Sequence, residues 1–147
     1  MPLFDSFAIS ASGMTANRLW LDLITNNIVN LNTAGRPGDP NMQPYRRQLP
    51  VFSELLQSTV DSVPGKERYK RMGVHVPRVL EDPADPRLVY EPNHPQADAN
   101  GYVAYPNINV ANEMVNMIAA TRAYEASVTA FNSAKGMALK ALEIGRG

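Results

Sequence analysis

The sequence predicts a mainly α fold with a small β-rich middle, long helices occupying both ends of the chain. Three observations carry this. All 12 prolines of the 147 residues except Pro2 fall between Thr33 and Asn109. The end segments hold almost no helix breakers beyond Gly13 and Gly136, and an interior glycine weakens a helix by only about 1 kcal/mol relative to alanine. Both ends repeat apolar residues at heptad spacing. The expected division is residues 1–32 as an N-terminal helix, 33–109 as Pro-rich loops and a small β module, and 110–147 as a C-terminal helix. The two ends together form one discontinuous assembly domain.

In the first segment Phe7, Met14, Leu21 and Ile28 stand seven apart, and Leu3, Ser10, Asn17, Ile24 and Leu31 make the companion row. This is an a/d seam, apolar except at Ser10 and Asn17, of the kind that pairs helices into a coiled coil. Asp5 or Ser6 is placed to cap its start by accepting a backbone N–H. The run Asn30-Leu31-Asn32-Thr33-Ala34-Gly35 supplies its stop, because Asn and Gly enter the left-handed conformation at low steric cost.

The middle contains short strand-like pieces at 45–52, 74–80, 87–90 and 101–105, each bounded by Pro, Gly, Asn or Asp. Pro50 and Pro77 suit edge strands, since proline donates no ladder hydrogen bond. Residues 34–43 and 58–71 read as flexible loops. Such a module has a thin core.

The last segment repeats the design of the first. Val110, Met117, Tyr124, Phe131 and Ala138 form one row, and Met114, Thr121, Val128, Lys135 and Leu142 the other. Beside them run Ala119, Ala120, Ala123, Ala126, Ala130, Ala134 and Ala141, which favour helix and allow close helix approach. At 1.5 Å per residue the helix is a rod of roughly 50 Å. Gly145-Arg146-Gly147 marks its stop.

Composition narrows the functions. Fourteen Lys and Arg balance 14 Asp and Glu, so the basic excess of a nucleic-acid binder is missing. There is no cysteine for disulfides, thiolate metal sites or thiol catalysis, and His75 and His94 are the only histidines. No apolar run approaches the roughly 18 residues of a membrane-spanning helix, so direct membrane insertion is not expected. Nor does a secretory leader pattern open the chain, the first basic residue being Arg18. No glycine-rich phosphate loop or nucleophile motif is present, and no cofactor is implied.

Two long apolar stripes therefore meet a middle too small to cover them, and apolar surface left in water costs about 25 cal/mol per Å². The ends pair with each other or with the ends of other copies. A two-helix hairpin still leaves an outer face, here the alanine, Ile118 and Leu139 side, which argues for further helices in an oligomer or filament. Until such neighbours arrive, the ends of an isolated subunit are expected to fray.

The run from Leu3 to Ala16 resembles the start of bacterial flagellar rod proteins. Ile24-Thr25-Asn26-Asn27-Ile28-Val29-Asn30-Leu31-Asn32-Thr33 looks like their Asn-Asn-hydrophobic-Ala-Asn signature, with Val29 in place of the usual Ala. Pro44-Tyr45-Arg46-Arg47-Gln48 with Val51-Phe52, Tyr90 to Pro95, Gly101-Tyr102-Val103, Pro106 to Val110, and Glu113 through Gly145 are similar to later parts of the same family. The loop from Ala34 to Gln43 departs from the pattern, being richer in Pro and Gly. The resemblance implies a structural subunit of the flagellar basal-body rod, proximal in position, passing torque from rotor to hook and crossing the periplasm. It implies export by the flagellar type III apparatus without a cleaved signal. The partners it implies are further copies, the rod proteins FlgB, FlgF and FlgG, and the junction protein FliE.

Phe7, Met14, Leu21, Ile24, Ile28, Met114, Met117, Tyr124, Val128, Phe131 and Leu142 are the expected assembly core. Asn26, Asn27, Asn30 and Asn32 are expected inter-subunit hydrogen-bonders, because a buried amide must find partners and so fixes register. Glu81, Asp82, Asp85, Glu91, His94 and Asp98 alternate with prolines as turns do, and no catalytic or metal role is assigned to them. The basic run Lys66, Arg68, Lys70, Arg71, interrupted by Glu67, reads as a solvated loop. A helical adaptor or export-chaperone-like binding protein is the alternative to the rod subunit, and an enzyme built on the acidic-proline stretch is a second rival.

Overall fold

The computed structural model describes residues 2–60 and 67–145, and the side chains of 5–56 and 71–145. Two long helices flank a β region: α1 at Pro2–Val29, β1 at Gln48–Val60, β2 at Glu67–Glu81, β3 at Arg87–Tyr90, β4 at Tyr102–Tyr105 and α2 at Val110–Ile144. The strands form two separate two-stranded sheets, β1 with β2 and β3 with β4. Two compact units result. One comprises residues 1–19, 51–78 and 119–147, the other 20–50 and 79–118, so each helix lends one end to each unit.

α1 begins at Pro2, where the missing N–H of proline costs nothing, which places Asp5 inside the first turn and corrects the expected cap at Asp5 or Ser6. It ends at Val29, where Asn30 N still bonds to Asn26 O and Thr33 N to Asn30 O. α2 is capped by Asn109, whose Oδ1 accepts from the N–H groups of Ala111 (3.0 Å) and Asn112 (3.3 Å). The expected C-terminal stop lies partly outside the described residues, at Arg146 and Gly147.

In the first unit α1 meets α2 through the rings of Phe7 and Phe131, 5.1 Å apart and edge to face. Gly13 shows why a breaker is kept inside α1: a Cβ there would lie 3.1 Å from Ser127 Oγ. Gly136 has no such reason, with nothing within 4 Å of its would-be Cβ. β2 packs on α1 at Gly73, whose φ of +117° suits only glycine and whose Cβ would strike Ser12. Ser12 ties the two elements together: its hydroxyl donates to Ile9 O (2.7 Å) and accepts from Val74 N–H (3.1 Å).

β1 and β2 run well beyond the strands expected at 45–52 and 74–80. Residues 58–60 and 67–71, expected as loop, are strand, and 61–66 lie outside the described residues. The physical reason is pairing. Among the described residues β1 and β2 pair with each other alone, and the pair extends past the apolar stretch that the sequence pattern detects. The Asp82 N–H to Arg47 O bond (2.8 Å) extends the pairing beyond the start of β1 and the end of β2. The side chains of Lys66, Arg68 and Lys70 are outside the described residues. Arg71 forms an exposed ion pair with Glu54, 3.0 Å.

In the second unit β3 and β4 are antiparallel with Val89 opposite Val103 and Tyr90 opposite Tyr102. Gly35 bridges to Ala104 on the far edge of β4 through two hydrogen bonds of 2.8 and 2.9 Å. Val103 and Ala104 are fully buried.

Gly73→Ala is expected to lower stability by about 1–3 kcal/mol through backbone strain and the clash with Ser12. Gly136→Ala, in open helix interior, should raise it by roughly 0.5–1 kcal/mol. Chemical-denaturation midpoints of the two variants, shifted in opposite directions from the parent, check both.

Candidate assembly interface

A buried polar cluster lies where α1 ends, β1 begins and α2 begins. Asn27, in the last turns of α1, and Glu113, in the first turn of α2, are each only 1% exposed. Asn27 uses its full hydrogen-bonding capacity. Its Nδ2 donates to Gln48 O (2.9 Å) and Glu113 Oε2 (3.1 Å), and its Oδ1 accepts from Gln48 N–H (2.8 Å) and the Tyr45 hydroxyl (3.0 Å). The Arg47 guanidinium donates from Nε (2.9 Å) and Nη2 (2.6 Å) to Glu113 Oε1, and its Nη1 lies 3.6 Å from Asp82 Oδ2. Burial pushes the Tyr45 phenol above its usual range, reinforced by the negative charges of Glu113 and Glu81. A carboxylate in the first turn of α2 also sits well with the positive end of the helix dipole.

Burial along α2 corrects the expected second row. Val110, Met117, Tyr124, Phe131 and Ala138 are half-buried as one row; beside them Glu113, Ala120 and Ala134 are buried and Ser127 and Val128 half-buried, whereas Met114, Thr121, Lys135 and Leu142 of the expected row are exposed. Ala120 and Ala134 are 0% and 3% exposed, whereas Met114 and Leu142 are 56% and 66% exposed. The reason is steric. Small side chains one position earlier allow close approach, and the expected row would have put Lys135 in the seam. The alanines expected together on the outer face are accordingly divided, with Ala120 and Ala134 inside and Ala119, Ala126, Ala130 and Ala141 outside.

The other expected interface residues fall into three groups. Ile24 is buried, and Phe7, Met14, Leu21, Ile28, Met117, Tyr124, Val128 and Phe131 are half-buried. Asn27, expected between subunits, is committed inside its own chain by the four bonds above. Asn30 serves the helix end, its Nδ2 donating to Asn26 O (2.9 Å) and its Oδ1 accepting from the Thr33 hydroxyl (3.0 Å), while Asn26 and Asn32 are exposed. Exposed large apolar side chains on α2 are Met114, Val115, Ile118, Met137, Leu139, Leu142 and Ile144.

Arg47, Glu113 and Tyr45 were not singled out from the sequence. A signal for Glu113 exists, since it lies three residues after Val110 on the seam side, where a charge needs a counter-charge.

The acidic-proline stretch is built of turns. Asp82 Oδ1, His94 Nδ1 and Asp98 Oδ1 each accept from the backbone N–H two residues on, at Ala84, Gln96 and Asn100. Asp98 Oδ1 also accepts from Tyr102 N–H (2.8 Å), and these backbone bonds, that of Tyr102 foremost, hold its carboxyl below the usual range. Glu91 accepts from the Tyr105 hydroxyl (3.0 Å), which with burial raises that phenol. Among the described residues no three His, Asp or Glu side chains group as metal ligands, and no helix is long and apolar enough to cross a membrane.

Comparison with known proteins places this architecture in a class. The family described as flagellar basal body rod FlgEFG protein C-terminal matches residues 99–144, which span β4, the Asn109 cap, Glu113 and all of α2. That match puts the C-terminal part of the chain among flagellar basal-body rod proteins. Over its full length it is 39% identical to the flagellar basal-body rod protein FlgC of Bacillus subtilis, covering 99% of this chain and 100% of that one. It is 39% identical to FlgC of Salmonella typhimurium (99% and 100% covered) and 36% identical to FlgC of Aquifex aeolicus (92% and 91% covered). The chain belongs to the FlgC family.

Glu113→Ala is expected to destabilise by about 3 kcal/mol or more, because it strands the Arg47 guanidinium and one Asn27 donor. Tyr45→Phe should cost only about 1 kcal/mol, since Asn27 Oδ1 keeps the Gln48 bond. A phenol raised on folding contributes stability that is present below its unfolded pKa and lost as pH rises through the folded one. The stability gap between parent and Tyr45→Phe should therefore change only above pH 10.0, the ordinary tyrosine value. Urea titrations at neutral and alkaline pH measure both effects.

Proposed function

We propose that this chain is a structural subunit of the flagellar basal-body rod that assembles with other rod subunits through the outward faces of its terminal helices. The end-to-end identity with FlgC rod proteins carries the reading. The outward face of α2 supports it, because Met114, Val115, Ile118, Met137, Leu139 and Leu142 are all more than half exposed. Isolated exposed apolar residues are ordinary, but a helix with six along its length has a surface that further helices would cover.

In this reading residues 1–32 and 110–147 act as one assembly domain, packed with neighbouring helices in a coiled-coil-like layer, while 33–109 lies outside it. Stacking into a rod uses heterologous contacts, one surface of a subunit meeting a different surface of the next. Torque then passes through many closely packed side chains, and stiffness comes from packing density rather than any single bond. FlgB, FlgF, FlgG and FliE remain the neighbours, with export through the type III apparatus and a position crossing the periplasm. No observation favours the adaptor or the enzyme.

Ile118→Asp and Leu142→Asp separate folding from assembly, since neither side chain is buried in its own chain. The expected outcome is an unchanged circular-dichroism spectrum and denaturation midpoint for the purified variants. Swimming and rod formation should be lost in cells that carry only the variant gene. Normal motility in both variants would overturn the assembly reading.

A further inference from the structure

The loop from Ala34 to Gln43 is stiffened by proline and borders a groove that two arginines line. Pro37, Pro40 and Pro44 fix three φ angles, and the loop closes on itself through Arg36 N–H to Met42 O (2.7 Å) and Met42 N–H to Asp39 O (3.2 Å). It walls a groove of about 270 Å³ lined by Arg36, Gln43, Arg46, the three prolines and Pro86.

Two guanidinium groups border this groove, and neither is paired with a carboxylate. Neither Arg36 nor Arg46 has an acidic group within 4.0 Å among the described residues, in contrast to Arg47 and Arg71. Arg36 is already oriented, its Nη2 donating to Pro95 O (3.3 Å), and its Nε is buried with no acceptor. Asp39, the acid of the loop, spends Oδ1 on Asn41 N–H (2.9 Å). A half-buried, held guanidinium lacking a counter-ion favours an incoming anion, and the planar fork of arginine matches a carboxylate. A rigid wall loses little entropy when it is covered.

We propose that this groove docks an acidic peptide segment of a partner protein, with Arg36 and Arg46 receiving its side-chain carboxylates and the prolines covering its apolar neighbours. Charge complementarity selects that occupant: apart from the engaged Asp39, the ionisable groups lining the groove are cationic.

The test uses the full chain, isotopically labelled, and two synthetic peptides, Ac-Pro-Glu-Ala-Glu-Leu-Glu-NH2 and the same peptide with Gln for each Glu. The Glu peptide should shift the amide signals of residues 35–46 and the Arg36 Nε–H signal, and the Gln peptide should not. Arg46→Gln, an exposed site, and Arg36→Gln should each weaken binding roughly tenfold, and binding should weaken as sodium chloride is raised. Unchanged spectra elsewhere in the variants show that folding is intact. Equal binding of the Gln peptide, shifts confined to other residues, or parent-like binding by Arg46→Gln would overturn the proposal. So would sodium phosphate reproducing the same shifts at the same concentration, which would mark a simple anion site.

Discussion

The second unit depends on a carboxylate and an amide that water does not reach. Glu113 and Asn27 are buried to the same degree, and each is tolerable there only because the other is present together with Arg47, Gln48 and Tyr45. A buried ion pair is weak evidence of stability, since desolvation offsets much of its attraction. Its contribution here is geometric. A slip of one residue along either helix would leave the Asn27 amide or the Arg47 guanidinium without partners. The network thereby fixes where the end of α1, the entry to β1 and the start of α2 lie with respect to each other.

That constraint is paired with an unusual distribution of size along α2. Its fully buried positions are Glu113, Ala120 and Ala134, while Met114, Met137, Leu139 and Leu142 are exposed. A monomeric helix ordinarily does the reverse, because large apolar groups gain most from leaving water. Small residues inside permit close approach within the chain, and large ones outside leave apolar surface for a neighbour. One helix thus carries two faces suited to two different packings, a property a stacking subunit requires and a self-contained adaptor does not.

The middle contributes turns rather than chemistry. Asp39, Asp82 and Asp98 each spend a carboxylate oxygen on the N–H two residues ahead, so acids spaced among prolines hold loops in place. The arginines divide differently. Arg47 is satisfied inside, Arg71 pairs at the surface, and Arg36 and Arg46 border a stiff groove without an acidic partner among the described residues.

The two helices, β3 and β4 were legible from the residues, whereas β1 and β2 run past the strands the pattern gave. The confinement of proline to the middle, the breaker-free ends and the Asn–Gly stop after α1 are local properties, and local sterics determine them wherever the chain folds. Family resemblance was equally legible, because it rests on residues read in order. What only the tertiary structure decided was which way each side chain turned and what it met. Heptad spacing ranks positions by apolarity, but Ala120 and Ala134 took the buried row over Thr121 and Lys135 by being small and apolar, which matters only once another element lies alongside. Asn27 and Glu113 stand 86 residues apart. No local pattern joins them, since the free energy of a buried hydrogen bond exists only when the chain has brought both ends of it together.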